Sequence, residues 1–249
     1  MKNNKKSSDS LPMLCDNLDF VLHEEYRLLR TNVKFSLPEE SKYHCIGVTS
    51  SIQGESKTTT AINLSYTLAE NGEKVCLVEA DMRLPSVGKK MYIVPHVGLS
   101  EYLTGQASVN DVLQKLTFKK CSIHCIQAGT LPPNPAELLA SSRMEKLFKA
   151  LGEVFTYIVI DLPPVTLVSD TIILGKKLDG IIMVISQSVC TKRLLREAMK
   201  QISLSNIKVL GFVRTFCTDQ VFGYLKNGKR KYKYKKGYQY RLDYNKENK

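Results

Sequence analysis

The segment from Ser51 to Thr58 contains residue types that bind phosphate, and it joins an apolar run to a helical pattern. A phosphate-binding loop points backbone N–H groups and a helix N-terminus at the phosphate oxygens. In such a loop Lys57 reaches the β- and γ-phosphates, and the Thr58 hydroxyl ligates Mg²⁺. The pattern G-x-x-x-x-G-K-S/T is met only in part, because Ser51 and Ser56 replace two of its glycines. The alternative is a serine- and glycine-rich turn that caps a helix.

Acidic side chains close two apolar runs elsewhere in the chain. Glu79 and Asp81 follow the run that begins at Lys74, and Asp161 closes the run Tyr157–Asp161. Carboxylates at the carboxyl ends of parallel strands face one crevice, where they can hold Mg²⁺ or accept a proton. An aspartate after a strand is often only a turn former. Three such features, each at a strand end and in this order, favour a nucleotide site.

Short apolar, β-branched runs alternate with helical patterns between about residue 18 and residue 217. The predicted strands are His44–Ser50, Lys74–Ala80, Ser122–Ala128, Tyr157–Asp161, Gly180–Ser186 and Lys208–Arg214. The predicted helices are Thr58–Asn71, Arg143–Leu151, Asp170–Lys177 and Thr191–Leu204. This alternation indicates right-handed crossovers and a doubly wound, mostly parallel sheet in a three-layer α/β/α fold.

The net charge of +12 is concentrated at the C-terminus. Residues 224–249 contain ten Lys or Arg against two acidic residues, and six of the twelve tyrosines. We expect a disordered segment over residues 1–17, a folded domain over 18–223 and a mobile tail over 224–249. Seven cysteines without a Cys-x-x-Cys pair favour reduced thiols in a cytoplasm. No apolar run reaches the ~18 residues that cross a bilayer.

Several motifs together resemble the bacterial tyrosine kinases (BY-kinases) of capsule and exopolysaccharide synthesis, in the split cytoplasmic form typical of Gram-positive bacteria. Residues 51–58 resemble the Walker A motif of that family, and 158–161 with two following prolines its Walker B motif. Residues 75–81, with Arg83 and Pro85, resemble its Walker A′ motif. The family's E-x-x-R-x-x-R helix is matched at Glu24, Arg27 and Arg30. The segment Gly129–Leu139 and the tyrosine cluster complete the resemblance.

The resemblance implies the P-loop NTPase fold, the cofactors ATP and Mg²⁺, and phosphorylation in trans of the chain's own tyrosines. The implied nucleotide-binding residues are Ser51, Gly54, Glu55, Ser56, Lys57, Thr58 and Thr59. The implied catalytic residues are Lys57, Glu79, Asp81 and Asp161, and the implied Mg²⁺ ligands, partly through water, are Thr58, Asp81 and Asp161. The implied phospho-acceptors are Tyr224, Tyr232, Tyr234, Tyr238, Tyr240 and Tyr244.

The same resemblance implies partners and a cellular place. A membrane-anchored activator would hold the cytoplasmic chain at the inner face of the plasma membrane, and a tyrosine phosphatase would reverse the modification. Glu24, Arg27 and Arg30 would join subunits of a ring-like homo-oligomer. On the residues alone, three charges spaced three apart on one helix face are also compatible with an exposed ion-pair face that contributes little.

Two residues depart from the family pattern. The family usually has aspartate where this chain has Glu79, so which of Glu79 and Asp81 is the base stays open. It usually has glycine where this chain has Ser56, which must avoid or tolerate a backbone conformation that suits glycine.

The tyrosine-rich tail admits three interpretations. It could be a solvated basic tail, a nucleic-acid-binding tail of a ParA/MinD-like ATPase, or a phospho-acceptor tail. ParA/MinD-like ATPases carry a signature lysine five residues before the invariant one, where this chain has Ile52. We therefore favour the phospho-acceptor tail and expect no nucleic-acid partner.

Overall fold

The computed structural model describes residues 14–217. The predicted disordered segment up to residue 13 and the six predicted acceptor tyrosines lie outside this range. Residues 14–17, which we expected to be disordered, are instead ordered: Leu14 and Cys15 are buried, and Cys15–Asn17 forms a short 3-10 helix. The carboxylate of Asp16 accepts hydrogen bonds from the Tyr66 hydroxyl at 3.0 Å and from the backbone N–H of Lys119 at 2.8 Å.

A seven-stranded sheet forms the middle layer. The strands are β1 His44–Ser50, β2 Val75–Glu79, β3 Gln114–Thr117, β4 Ser122–Ile126, β5 Tyr157–Asp161, β6 Gly180–Ser186 and β7 Val209–Thr215. Their order across the sheet is β3-β4-β2-β5-β1-β6-β7. All neighbours are parallel except β3 and β4. This architecture confirms the predicted mostly parallel sheet of the P-loop NTPase type.

The helices lie on both faces of the sheet, as the alternation predicted. They are α1 Phe20–Ser36, α2 Lys57–Glu70, α3 Val87–Met91, α4 Leu99–Thr104, α5 Val109–Val112, α6 Pro135–Ala140, α7 Ser142–Gly152, α8 Asp170–Gly175 and α9 Lys192–Leu204. One apolar core joins α1 and α2 to the sheet, and a second core joins α7, α8 and α9 to the other face. No described helix has the length and apolar character needed to cross a bilayer.

Helix α2 is buried along almost its whole length, because α1 and the N-terminal segment cover its outer side. Two of its buried hydroxyls bond within the helix: those of Ser65 and Thr67 donate to carbonyls one turn back at 2.8 and 3.0 Å. Such back-bonding satisfies a buried hydroxyl locally. These two hydroxyls therefore need no partner outside the helix.

The three strands β1, β5 and β6 have the bounds that the sequence predicted. Strand β3 was not predicted, because Gln114–Thr117 is a short edge strand with half of its residues exposed. Helices α3, α4, α5 and α6 were not predicted either, and each is only four to six residues long. These short helices form the connections around the carboxyl edge of the sheet.

Candidate functional site

The loop between β1 and α2 lies at the carboxyl edge of the sheet, between the ends of β5 and β6. Two of its residues have left-handed backbone conformations, Gly54 with φ of 83° and Ser56 with φ of 68°. Ser56 therefore tolerates the conformation that glycine would adopt more easily. Its side chain makes no capping hydrogen bond to the helix. Lys57 is the first residue of α2, which places its backbone and that of Thr58 at the positive end of the helix dipole.

The side chains of Lys57, Thr58, Asp81 and Asp161 form one buried cluster. The Lys57 Nζ lies 2.8 Å from Asp81 Oδ2 and 3.4 Å from Asp161 Oδ1. The Thr58 hydroxyl donates to Asp161 Oδ2 at 2.7 Å. The structure thus brings together these four residues from the P-loop and from the ends of β2 and β5.

Burial and charge act in opposite directions on this cluster. Burial alone would lower the pKa of Lys57, but Asp161 and Asp81 raise it above its ordinary value. Burial raises the pKa of Asp161 to about 6, against the opposing effects of Lys57 and Thr58. The lysine is therefore a firmly charged cation, and it neutralises two carboxylates that would otherwise repel each other.

The residues present fit a Mg-nucleotide. Magnesium usually takes one or two protein oxygens and completes its shell with waters and phosphates. The Thr58 hydroxyl and the Asp161 carboxylate are adjacent oxygens of this kind, and the Ser86 hydroxyl lies 3.1 Å from Thr58 Oγ1. Within residues 14–217 no group of three or more His, Cys, Asp or Glu side chains is arranged to hold a metal ion. A magnesium ion at this site would therefore need waters and phosphates as further ligands.

Glu79 has different partners from Asp81. Its Oε1 accepts the backbone N–H groups of Ser86 and Val87, the latter at 2.7 Å, and its Oε2 accepts that of Ala128 at 3.2 Å. Three backbone donors from two loops therefore converge on one buried carboxylate. Sequence reasoning missed this role, because backbone N–H groups leave no mark in the residue types.

Asp170 and Glu101 are buried carboxylates near this edge that the sequence did not single out. The guanidinium of Arg83 in the Walker A′ segment donates to both oxygens of Asp170, at 2.9 and 3.1 Å. Glu101 accepts the backbone N–H groups of Gly98 and Thr130 at 2.7 and 3.0 Å. For Asp170 the sequence offered only one signal, the preference of arginine for a carboxylate that it can bind with two hydrogen bonds. That preference does not show which carboxylate Arg83 binds.

Among the other expected nucleotide-binding residues, Ser51 is buried at the end of β1, and Thr59 lies half-buried in the first turn of α2. The Ser51 carbonyl accepts the Thr166 hydroxyl at 2.6 Å, which joins the P-loop to the segment after β5. The side chain of Glu55 is fully buried, and its oxygens accept the backbone N–H groups of Ile52 and Ser186.

The expected oligomerisation residues make contacts within the chain. Arg27 donates to Glu24 at 2.7 Å and reaches Glu70 of α2 at 3.5 Å. Arg30 donates to the carbonyl of Thr67 at 2.9 Å. These contacts fix α1 on α2, and whether the same side chains also join subunits stays a prediction.

The chain is similar in sequence and fold to several known proteins. The family model described as AAA domain matches residues 44–208. Tyrosine-protein kinase YwqD of Bacillus subtilis (strain 168) is 34% identical over 190 residues, which is 76% of this chain and 79% of YwqD. The kinase domain of the Escherichia coli tyrosine kinase ETK has a TM-score of 0.76 and 25% identity, covering 94% of this chain and 89% of that domain.

A MinD ATPase, from the class of proteins in the alternative interpretation, also has a similar fold, but the similarity is lower. The cell division ATPase MinD of Pyrococcus furiosus has a TM-score of 0.55 and 24% identity, covering 69% of this chain and 71% of MinD. This likeness shows the shared fold alone. The tyrosine kinases are the better match by both sequence and structure.

Proposed function

The chain belongs to the bacterial tyrosine-protein kinases, and we propose that it transfers phosphate from ATP to its own C-terminal tyrosines. The observation that carries this proposal is the buried cluster of Lys57, Thr58, Asp81 and Asp161 at the N-terminus of α2. Its cation, hydroxyl and two carboxylates are the groups that P-loop phosphoryl transfer requires. The proposed acceptors are the six tyrosines of residues 224–249.

Each residue of the cluster has a proposed role. Lys57 binds the β- and γ-phosphates, and its contacts with Asp81 and Asp161 hold it at the site beforehand. Thr58 and Asp161 would hold Mg²⁺, and Asp81 would contribute through water. The ion would supply positive charge against the negative charge that develops on the phosphate during transfer. The backbone N–H groups at the start of α2 bind phosphate oxygens.

We assign the proton-accepting role to Asp81 rather than to Glu79. Both oxygens of Glu79 are occupied by backbone N–H groups, which belong to fixed loops. Asp81 uses Oδ1 to accept the N–H of Leu84 at 3.1 Å, while Oδ2 contacts the Lys57 ammonium. When Lys57 turns to phosphate, this oxygen becomes free to accept the proton of a tyrosine hydroxyl. Glu79 then serves to hold the surrounding loops.

A pair of amide variants distinguishes the two carboxylates. Asp81→Asn should lower the phosphorylation rate at saturating ATP by about 100-fold or more, since general-base catalysis contributes that much. Glu79→Gln should lower the melting temperature but keep most of the rate at a temperature where it is folded. If Glu79→Gln loses the rate while Asp81→Asn keeps it, the assignment is reversed.

One experiment tests the function as a whole. The purified full chain is incubated with Mg-ATP and its activator, and phosphate is mapped by mass spectrometry, with Lys57→Met as the control. Phosphate on the tail tyrosines of the wild type alone supports the proposal. Hydrolysis of ATP with no tail phosphate would favour the ParA/MinD-like alternative.

Phosphorylation would invert the charge of the tail. Residues 224–249 carry +8. Six phosphotyrosines would add roughly −9 to −12, which leaves about −1 to −4. We propose that the unmodified tail holds subunits together or near anionic lipid, and that phosphorylation releases them. Size measurements with ATP on the wild type and Lys57→Met test this, and equal sizes despite phosphate on the wild type alone would contradict release.

The cellular role follows from the family. We propose that the kinase regulates capsular or extracellular polysaccharide synthesis, at the inner face of the plasma membrane and through a membrane-anchored activator. We further propose a ring-like homo-oligomer in which one subunit's tail enters a neighbour's site, and a phosphatase that resets it. Cross-linking of the full chain in cells, with and without Arg27→Ala, tests the assembly.

A further inference from the structure

Glu55 lies inside the phosphate-binding loop, and its side chain is fully buried. Its Oε2 accepts the backbone N–H of Ile52 at 2.8 Å, and its Oε1 accepts that of Ser186 at 3.0 Å. Its own carbonyl accepts the Thr215 hydroxyl at 3.1 Å. The residue therefore joins the two halves of the loop to each other and to the ends of β6 and β7.

The neighbours of Glu55 explain why the loop needs such a fixed point. Gly54 and Ser56, on either side of it, both have left-handed backbone conformations. Glycine adopts this conformation freely, but serine is strained in it, and such strain persists only where the surrounding structure holds the backbone in place. A loop held at Ile52 and Ser186 keeps its shape without phosphate, so that binding does not have to order it.

The charge of Glu55 argues against a simple electrostatic role. A carboxylate beneath an anion-binding loop repels the phosphates, unless its charge is balanced by donors. Here two backbone N–H groups donate to it, and the first N–H groups of α2 are left without helical acceptors and available for phosphate. We infer that Glu55 is a positioning residue that sets the shape of the phosphate-binding loop through Ile52 and Ser186.

Two amide variants of buried carboxylates test this inference in the full-length chain, with ADP and Mg²⁺ as the probe. Glu55→Gln removes the charge but turns an NH₂ group against one of the two N–H donors. Glu101→Gln is the matched control, because Glu101 is also a buried carboxylate that accepts two backbone N–H groups. Binding is measured by calorimetry well below the melting temperature of each variant.

The inference predicts that Glu55→Gln weakens ADP binding by about tenfold or more, the effect of losing one hydrogen bond to a charged group. Glu101→Gln should change the affinity by less than about twofold while losing similar stability. In steady state the KM for ATP of Glu55→Gln should rise more than its kcat falls. If charge alone mattered, Glu55→Gln would bind ADP more tightly than the wild type.

Unchanged or tighter ADP binding by Glu55→Gln, or equal weakening by Glu101→Gln, would overturn the inference. If Glu55→Gln does not fold, Glu55→Asp replaces it, since the shorter side chain keeps the charge but cannot reach both donors. The inference rests on the proposed nucleotide site. A wild-type chain that binds no ADP would refute that site itself, which is a different outcome from a wild type that binds and a variant that binds equally well.

Discussion

Replacing Ser56 by glycine should stabilise the protein. Ser56 has φ of 68° and ψ of 24° and no capping hydrogen bond from its side chain. A left-handed conformation costs a residue with a Cβ roughly 1–2 kcal/mol. Glycine removes that strain, but it lowers the stability by about 0.4–1 kcal/mol through the greater freedom of the unfolded chain. The net gain expected for Ser56→Gly is about 0.5–1 kcal/mol.

The opposite change at Gly72 is a matched control. Gly72 has φ of 90°, and a Cβ added there would have no atom within 4 Å. It lies in the turn after α2, away from the phosphate-binding loop. Gly72→Ser should therefore lose about as much stability as Ser56→Gly gains, for the same reason and with the opposite sign.

Urea unfolding of the full chain measures both changes, and thermal unfolding should show shifts of about 1–4 °C for each. ADP binding by Ser56→Gly should be as tight as in the wild type or tighter, since the loop keeps its shape with less strain. A Ser56→Gly variant less stable than the wild type would refute the reasoning, because the serine side chain would then have to stabilise the native loop. Gly72→Ser losing nothing would refute the strain estimate itself.

Three further changes have predicted outcomes. Burial alone would raise the pKa of Glu101, but hydrogen bonds from Thr130 and Gly98 lower it to about 2. The stability that the ionised Glu101 contributes is therefore complete above pH 4.5 and is lost as the pH falls. Between pH 6 and pH 3 the free energy of unfolding of the wild type, measured by thermal unfolding, should fall by roughly 2 kcal/mol more than that of Glu101→Gln. Arg83→Ala should lower the free energy of unfolding, measured with urea, by about 2 kcal/mol, because Asp170 is left buried without this partner. Gly98→Ala should fold poorly by circular dichroism, since its Cβ would lie 2.3 Å from the Gln127 carbonyl oxygen.

The core of the fold could be predicted because its strands are buried on both faces. β1, β5 and β6 are mostly apolar, almost fully buried runs, and such runs have few alternatives to a central parallel strand. The cluster of Lys57, Asp81 and Asp161 could be predicted as well. Parallel strands bring their carboxyl ends to one edge, so residue type and strand position together were sufficient.

The loops around the site could not be predicted, because their contacts depend on backbone groups and on distant partners. The donors to Glu79 are N–H groups from positions near 86 and near 128, which any residue type but proline supplies. Arg83 and Asp170 are 87 positions apart. The two carboxylates of the Walker A′ segment looked equivalent in sequence, and only their hydrogen bonds separate a loop-holding residue from one that contacts the lysine.

Helix α2 connects the nucleotide cluster to the motif that we propose joins subunits. Its first residue, Lys57, belongs to the nucleotide cluster. The carboxylate of its last residue, Glu70, lies 2.7 Å from His23 Nε2 and 3.0 Å from Lys120 Nζ. Arg27 also reaches Glu70, so part of the motif proposed to join subunits is already used to attach α1 to α2. Arginine has five N–H donors, and among residues 14–217 Arg30 uses one of them on the Thr67 carbonyl. An interface at α1 would therefore be built on the same helix that begins the phosphate site, and it requires α1 to be docked first.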